Sequence, residues 1–286
     1  MSPAPQPAKG KSTGKSMSEI KLLVLDVDGT LIGHGAYPSA RVAETIRYAK
    51  AEGVQVALGT GRASEACYHL LRFLQLDGLH VFFDGAAVVD WPSNDIVFLQ
   101  ALSPYAGKRL VELSREYNLF LEIYAHDFYF IENDNALAEQ QREKLQINSL
   151  VTNLMSLIDR IKIVKGQLLA TNETEKEYAQ FISKKMEKFC KMSWSFDSSN
   201  NTYFINAVAR SVSKGQALLD MMDYLNISPA EVMAIGDSFN DLATFEIVGF
   251  SVAMGNAPAE VKQRANWVAP SVDQDGIAAA IEKFIL

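Results

Sequence analysis

Cysteine, positive charge and long apolar runs are all scarce in this 286-residue chain. Its two cysteines, Cys67 and Cys190, lie far apart and fit no metal-ligand spacing, which excludes a disulfide framework and suits a reducing compartment. No uncharged apolar run reaches the length of a membrane span, and the N-terminal stretch lacks the apolar core of a secretory signal, so a cytoplasmic protein is expected. The 27 Lys and Arg are outnumbered by 34 Asp and Glu, for a net charge of -7. Such a field repels polyanions and excludes nucleic acid and anionic membranes as main partners; a small anion would need a local cation to recruit it.

The 48% hydrophobic and 21% charged residues are those of a globular protein, and the length allows one large domain or two modest ones. Residues 1–18 are rich in Pro, Ser, Gly and Lys and read as a disordered tail or a non-native remnant, with Met17 as an alternative start. Gly10–Ser16 (GKSTGKS) imitates a phosphate-binding loop, but it is one residue short of the motif and no apolar strand precedes it.

From Ile20 onward, short apolar runs alternate with helical periodicity. Leu22–Leu25 reads as a strand, Arg41–Glu52 as a helix with Ser39 as cap and Gly53 as stop, Val54–Leu58 as a strand, Ser64–Leu74 as a helix and His80–Phe83 as a third strand. This alternation predicts a parallel sheet with helices on both faces. The middle of the chain differs. Leu119–Tyr124 and Phe128–Ile131 are aromatic-rich runs separated by Ala125, His126 and Asp127, the pattern of a hairpin. Helices are expected near Ser103–Tyr117 and Glu173–Phe189, and strands at Ile161–Val164 and Thr202–Ile205. The α/β alternation resumes afterwards. The expected architecture is a Rossmann-like, doubly wound parallel sheet core over residues 19–87 and 207–286, with an α+β domain inserted over residues 88–206.

Three apolar runs end in acids or hydroxyls: Leu22–Leu25 in Asp26-Val27-Asp28-Gly29-Thr30, Val54–Leu58 in Gly59-Thr60-Gly61-Arg62, and Val232–Ile235 in Gly236-Asp237-Ser238-Phe239-Asn240-Asp241. The carboxyl ends of parallel strands share one edge, where ligand crevices form, so these residues are expected to meet. Asp26, Asp28, Asp237 and Asp241 would repel one another there unless a cation intervened. An all-oxygen set suits Mg2+.

D-V-D-G-T-L at 26–31, T-G-R at 60–62, S-K-G at 213–215 and G-D-S-F-N-D at 236–241 resemble the four motifs of the haloacid dehalogenase superfamily of phosphohydrolases. V-A-M-G-N-A at 252–257 and D-G-I at 275–277 resemble its Cof-type branch, whose larger subclass IIB α+β cap lies between the second and third motifs. The resemblance covers nearly everything after the tail. It implies a Mg2+-dependent phosphatase acting on a small phosphorylated metabolite, with Asp26 as nucleophile and Asp28 as general acid and base. Metal ligation falls to the Asp26 carboxylate, the Asp28 backbone carbonyl and the Asp237 carboxylate, with Asp241 assisting. Phosphate binding falls to Thr60, the Gly61 N–H, Lys214 and Asn240.

Arg62 has two roles open, pairing with a core carboxylate or reaching the substrate. Where Cof-type members commonly carry Asn-Gly-Ala, this chain has Asp84-Gly85-Ala86, an extra negative charge near the crevice. In the cap, Tyr124, His126, Tyr129, Tyr203 and Asn206 are candidates for contacting the leaving group. A phosphomutase or phosphotransferase is the alternative within enzymes, and a receiver-type phospho-accepting module the alternative outside them. The long insertion and the D-x-D pair argue against the latter, and Asp28 argues against a dehalogenase.

Overall fold

A computed structural model describes residues 19–126, 128–145, 147–197 and 200–286. The expected tail with its Gly10–Ser16 stretch, and Asp127 of the expected turn, lie outside the described residues. The strands are β1 (Leu22–Leu25), β2 (Gln55–Leu58), β3 (Gly78–Phe82), β4 (Ala87–Trp91), β5 (Asp95–Leu99), β6 (Phe120–Tyr124), β7 (Tyr129–Ile131), β8 (Ser149–Val151), β9 (Lys165–Ala170), β10 (Lys191–Asp197), β11 (Thr202–Val208), β12 (Val232–Gly236), β13 (Phe250–Ala253) and β14 (Trp267–Val268).

Five of them form an all-parallel sheet in the order β14-β13-β12-β1-β2. β1 is apolar throughout because both its faces are covered. Leu23 and Leu25 pack with Ile46 of helix Ala40–Ala51 and with Ile277 and Ile281 of helix Gly276–Phe284. Leu22 and Val24 point the other way, toward Leu218 and Met222 of helix Lys214–Leu225. Ser39 and Ser213 cap two of these helices, accepting from the backbone N–H groups of Val42 and Gln216. β1 lies between β2, the next strand in the chain, and β12, to which the chain returns only after β11, so the carboxyl end of β1 is a topological switch point.

β3 was expected as a third parallel strand, and only part of that holds. Val81 bridges in parallel to Gly59 and accepts from the Thr60 N–H at 2.9 Å. Its full ladder, however, is antiparallel with β4, in a separate three-stranded sheet β3-β4-β5. The cause is a tight reversal through Phe83, Asp84 and Gly85, all at positive φ (52°, 57° and 100°). A Cβ on Gly85 would lie 2.3 Å from the Ser213 carbonyl, so only glycine lets this turn press against the start of helix Lys214–Leu225.

The third sheet runs β10-β11-β9-β6-β7-β8 and is antiparallel except for β7 with β8. β6 and β7 form the expected hairpin. Helices Pro104–Glu116 and Glu173–Met186 cover one face, where Leu110, Ile123, Leu168, Ile182 and Ile205 belong to an apolar cluster that runs from Leu102 to Ala207. Glu122, Tyr124, Lys165, Gln167 and Asn206 lie on the other face. The strand expected at Ile161–Val164 begins instead at Lys165. Its sequence, KGQLLA, alternates a polar face with an apolar one and so breaks the continuous run that marks β1. No helix among the described residues is long and apolar enough to cross a membrane.

Candidate active site

Asp26 extends β1 by one residue, its N–H donating to the Ile235 carbonyl at 3.0 Å. Its carboxylate is buried, with Oδ1 accepting from Lys214 Nζ at 2.5 Å. Lys214 is the first residue of its helix and only 4% exposed; the same ammonium donates to Asp241 Oδ1 at 2.8 Å. Asp241 in turn accepts on Oδ2 from the N–H groups of Asp237 and Ser238, at 3.1 and 3.0 Å, which fixes the loop after β12. Asp237 accepts from the Thr30 hydroxyl at 3.2 Å and from Asn256 Nδ2 at 3.1 Å. Between them Gly29 adopts φ 78°, and a Cβ there would lie 2.2 Å from Asp237 Oδ2, so the turn after Asp28 requires glycine.

Burial drives the Asp26 carboxyl well above the usual carboxylate range, and Asp241 adds to the rise against the pull of Lys214. Asp237 is pushed up to about 6, first by burial and then by Asp241. Burial works against the charged form of Lys214, but Asp241 and Asp26 outweigh it and hold its pKa above the ordinary value. One buried ammonium therefore leaves this group of acids under-compensated. Asp26, Asp237 and Asp241 each offer an oxygen, all within 4.8 Å of one another. A hard divalent cation fits such a donor set.

Asp28 turns its side chain away from this cluster. Arg62 forks onto both of its oxygens, Nε to Oδ2 at 2.9 Å and Nη2 to Oδ1 at 2.6 Å. Of the two roles left open for Arg62, the fold takes the carboxylate pairing. Thr60 is buried, and its hydroxyl accepts from the Arg62 N–H at 3.1 Å. Asn240 Nδ2 donates to Asp84 Oδ1 at 3.0 Å, so the residue that departs from the Cof-type pattern is tied to the loop after β12.

Asp26, Asp28, Thr60, Gly61, Lys214, Asp237 and Asn240 all line one cleft of about 1700 Å³, and Asp241 lies behind Lys214. The opposite wall is the polar face of the six-stranded sheet. Of the candidates named in the inserted segment, Tyr124 and Asn206 line the cleft. Among the described residues, His126, Tyr129 and Tyr203 do not: Tyr129 donates to Glu122 at 2.6 Å, and Tyr203 lies on the helix-covered face under Lys176. Sequence reasoning passed over Thr30 and Asn256, both inside quoted motifs, and Lys165, which sits in no motif.

Residues 23–281 match the family model of the haloacid dehalogenase-like hydrolases. The chain belongs to that family. It is 25% identical over 290 residues to 5-amino-6-(5-phospho-D-ribitylamino)uracil phosphatase YwtE of Bacillus subtilis, covering 93% of this chain and 98% of the relative. Among solved structures, a haloacid dehalogenase-like hydrolase from Bacteroides thetaiotaomicron superposes with a TM-score of 0.81 at 25% identity, over 93% of this chain and 99% of that one. The subclass IIB sugar phosphatase BT4131 shares the fold at a TM-score of 0.77 and 21% identity, over 93% of this chain and 100% of its own. Family, motifs and full-length relatives agree on a phosphatase of this superfamily, with a parallel-sheet core and a cap domain.

Proposed function

We propose that the enzyme is a Mg2+-dependent phosphatase that hydrolyses a small phosphorylated metabolite, a sugar phosphate or a phosphorylated cofactor, in the cytoplasm. Residues 19–87 and 207–286 form its core and residues 88–206 its cap. The observation that carries this reading is the buried Asp26 at the switch point, paired with Lys214 and grouped with Asp237 and Asp241. The activity printed for YwtE supports a small phosphorylated substrate.

Asp26 attacks phosphorus, and the bond to the leaving oxygen breaks as the aspartyl-phosphate forms. The Asp26 and Asp237 carboxylates and the Asp28 carbonyl, with Asp241 assisting, would hold Mg2+, which would supply the positive charge that lets a carboxylate approach a phosphate dianion. Asp28 gives a proton to the departing alkoxide, then takes one from the water that cleaves the acyl phosphate and regenerates Asp26. Thr60, the Gly61 N–H, Lys214 and Asn240 bind the phosphoryl oxygens. Arg62 occupies both Asp28 oxygens, so one of those bonds must open as substrate enters.

With Mg2+, the purified protein is expected to release phosphate from p-nitrophenyl phosphate. Asp26→Asn should lower kcat by roughly 10⁴-fold or more with an unchanged circular dichroism spectrum. Turnover retained in that variant overturns the nucleophile assignment.

A further inference from the structure

Lys165 opens β9, an inner strand of the cap sheet, and is 6% exposed, yet it lines the same cleft as Asp26 and Lys214. No carboxylate among the described residues comes within ion-pair distance of it. The two carboxylates whose charge acts on it, Glu122 and Asp84, are otherwise engaged. Glu122 accepts from the Tyr124 hydroxyl at 2.9 Å and the Tyr129 hydroxyl at 2.6 Å. Asp84 accepts from Asn240 across the cleft. The Lys165 ammonium instead sits 4.7 Å from the centre of the Tyr124 ring. The Gln167 amide meets Glu122 and Lys165 when its nitrogen faces Glu122 Oε2 at 2.8 Å and its oxygen faces Lys165 Nζ at 3.3 Å, with that oxygen also facing the Asn206 side-chain amide at 2.5 Å. An ammonium has three donors, and a ring face and one amide oxygen leave it without a counter-ion. Burial accordingly lowers the Lys165 pKa, with Asp84 and Glu122 opposing from a distance.

The contrast with Lys214 is direct, because that ammonium is equally buried but carries two carboxylates. The desolvation of Lys165 is already incurred in folding, so an anion delivered to it gains the attraction without a second penalty on the protein side. We infer that Lys165 reads the leaving group, and that preferred substrates are phosphomonoesters whose leaving group carries a second anionic group, a carboxylate or another phosphate, seated against its ammonium. This rests on the phosphatase reading above and narrows it.

The test is steady-state kinetics with Mg2+ on two matched pairs. 6-Phosphogluconate differs from glucose 6-phosphate by a carboxylate, and fructose 1,6-bisphosphate differs from fructose 6-phosphate by a second phosphate. In the native enzyme the anionic member of at least one pair is expected to have a kcat/KM about ten-fold or more above its partner's, carried mainly by KM. The responding pair tells carboxylate from phosphate. In Lys165→Met that ratio falls toward one, and Lys165→Arg recovers part of it; a ratio taken within one variant does not depend on how much of it is folded. A native ratio near one in both pairs, or one that Lys165→Met preserves, overturns the inference. So does turnover of p-nitrophenyl phosphate without turnover of either anionic sugar phosphate, and in each of these cases the phosphatase reading stands. Absence of phosphate release from all five compounds overturns the reading and the inference together.

Discussion

In the five-stranded sheet the charges that line or flank the cleft follow the strands, at Asp26 after β1 and Asp237 after β12, whereas in the six-stranded sheet they lie within the strands, at Glu122 on β6 and Lys165 on β9. The backbone past a strand end is free to turn, so consecutive residues there can all face one point. Asp237, Ser238 and Asp241 do so through hydrogen bonds among themselves. A residue inside a strand reaches a face only at every second position, so its partners come from two positions along the same strand or from neighbouring strands. Glu122 finds its partners in Tyr129 on β7 and Gln167 on β9 as well as in Tyr124.

Lys214→Met should separate the two kinds of site most sharply. It leaves Asp26 and Asp241 buried without a counter-charge, and breaking such a pair costs about 3–5 kcal/mol. Urea denaturation should register a loss of that size, and added Mg2+ should return part of it. Lys165→Met orphans no carboxylate, and its cost should be about 1 kcal/mol or less, because an unpaired buried charge is replaced by an apolar chain of similar shape. Equal losses in the two variants would erase the distinction drawn between the two lysines.

That distinction also governs what could be read in the sequence. D-V-D-G-T and G-D-S-F-N-D are contiguous, and their apolar strands announce where they sit, so the meeting of Asp26, Asp237 and Asp241 at one sheet edge was legible. The antiparallel pairing of β3 was not, because it depends on three successive positive-φ residues, of which only Gly85 carries an obvious signal. Lys165 was hidden for a different reason. Its face is spread over β6, β9 and β11, and the polar residues that build it break the apolar run of β9, so that Ile161–Val164 just before it reads as the strand instead.

Glu122→Ala tests whether the cap network depends on one acceptor. The substitution strands the Tyr124 and Tyr129 hydroxyls, and a buried hydroxyl left without a partner costs about 1–3 kcal/mol. Glu122→Gln, which keeps one oxygen, should lose less. Thermal unfolding followed by circular dichroism distinguishes the two, and an equal midpoint for both variants would mean that the tyrosines find other partners.

His80 tests the comparison from a third position, on the strand that joins the parallel core to the antiparallel hairpin. It is fully buried, and its Nδ1 accepts from the Leu58 N–H at 3.0 Å, so protonation would set donor against donor. Burial lowers its pKa to about 3 from an ordinary 6.5. The unfolded chain therefore binds the extra proton first as pH falls. The stability contributed by neutral His80 is complete above about pH 6.5 and is lost toward pH 3, with a slope of up to about 1.4 kcal/mol per pH unit. Asp237, raised to about 6, acts with the opposite sign, so only a difference between variants isolates the histidine. His80→Asn keeps an oxygen for the Leu58 N–H and removes the titration. Urea midpoints from pH 7 to pH 4 should fall less steeply in His80→Asn than in the native protein, and parallel curves would show that the imidazole is not the group whose charging destabilises this junction.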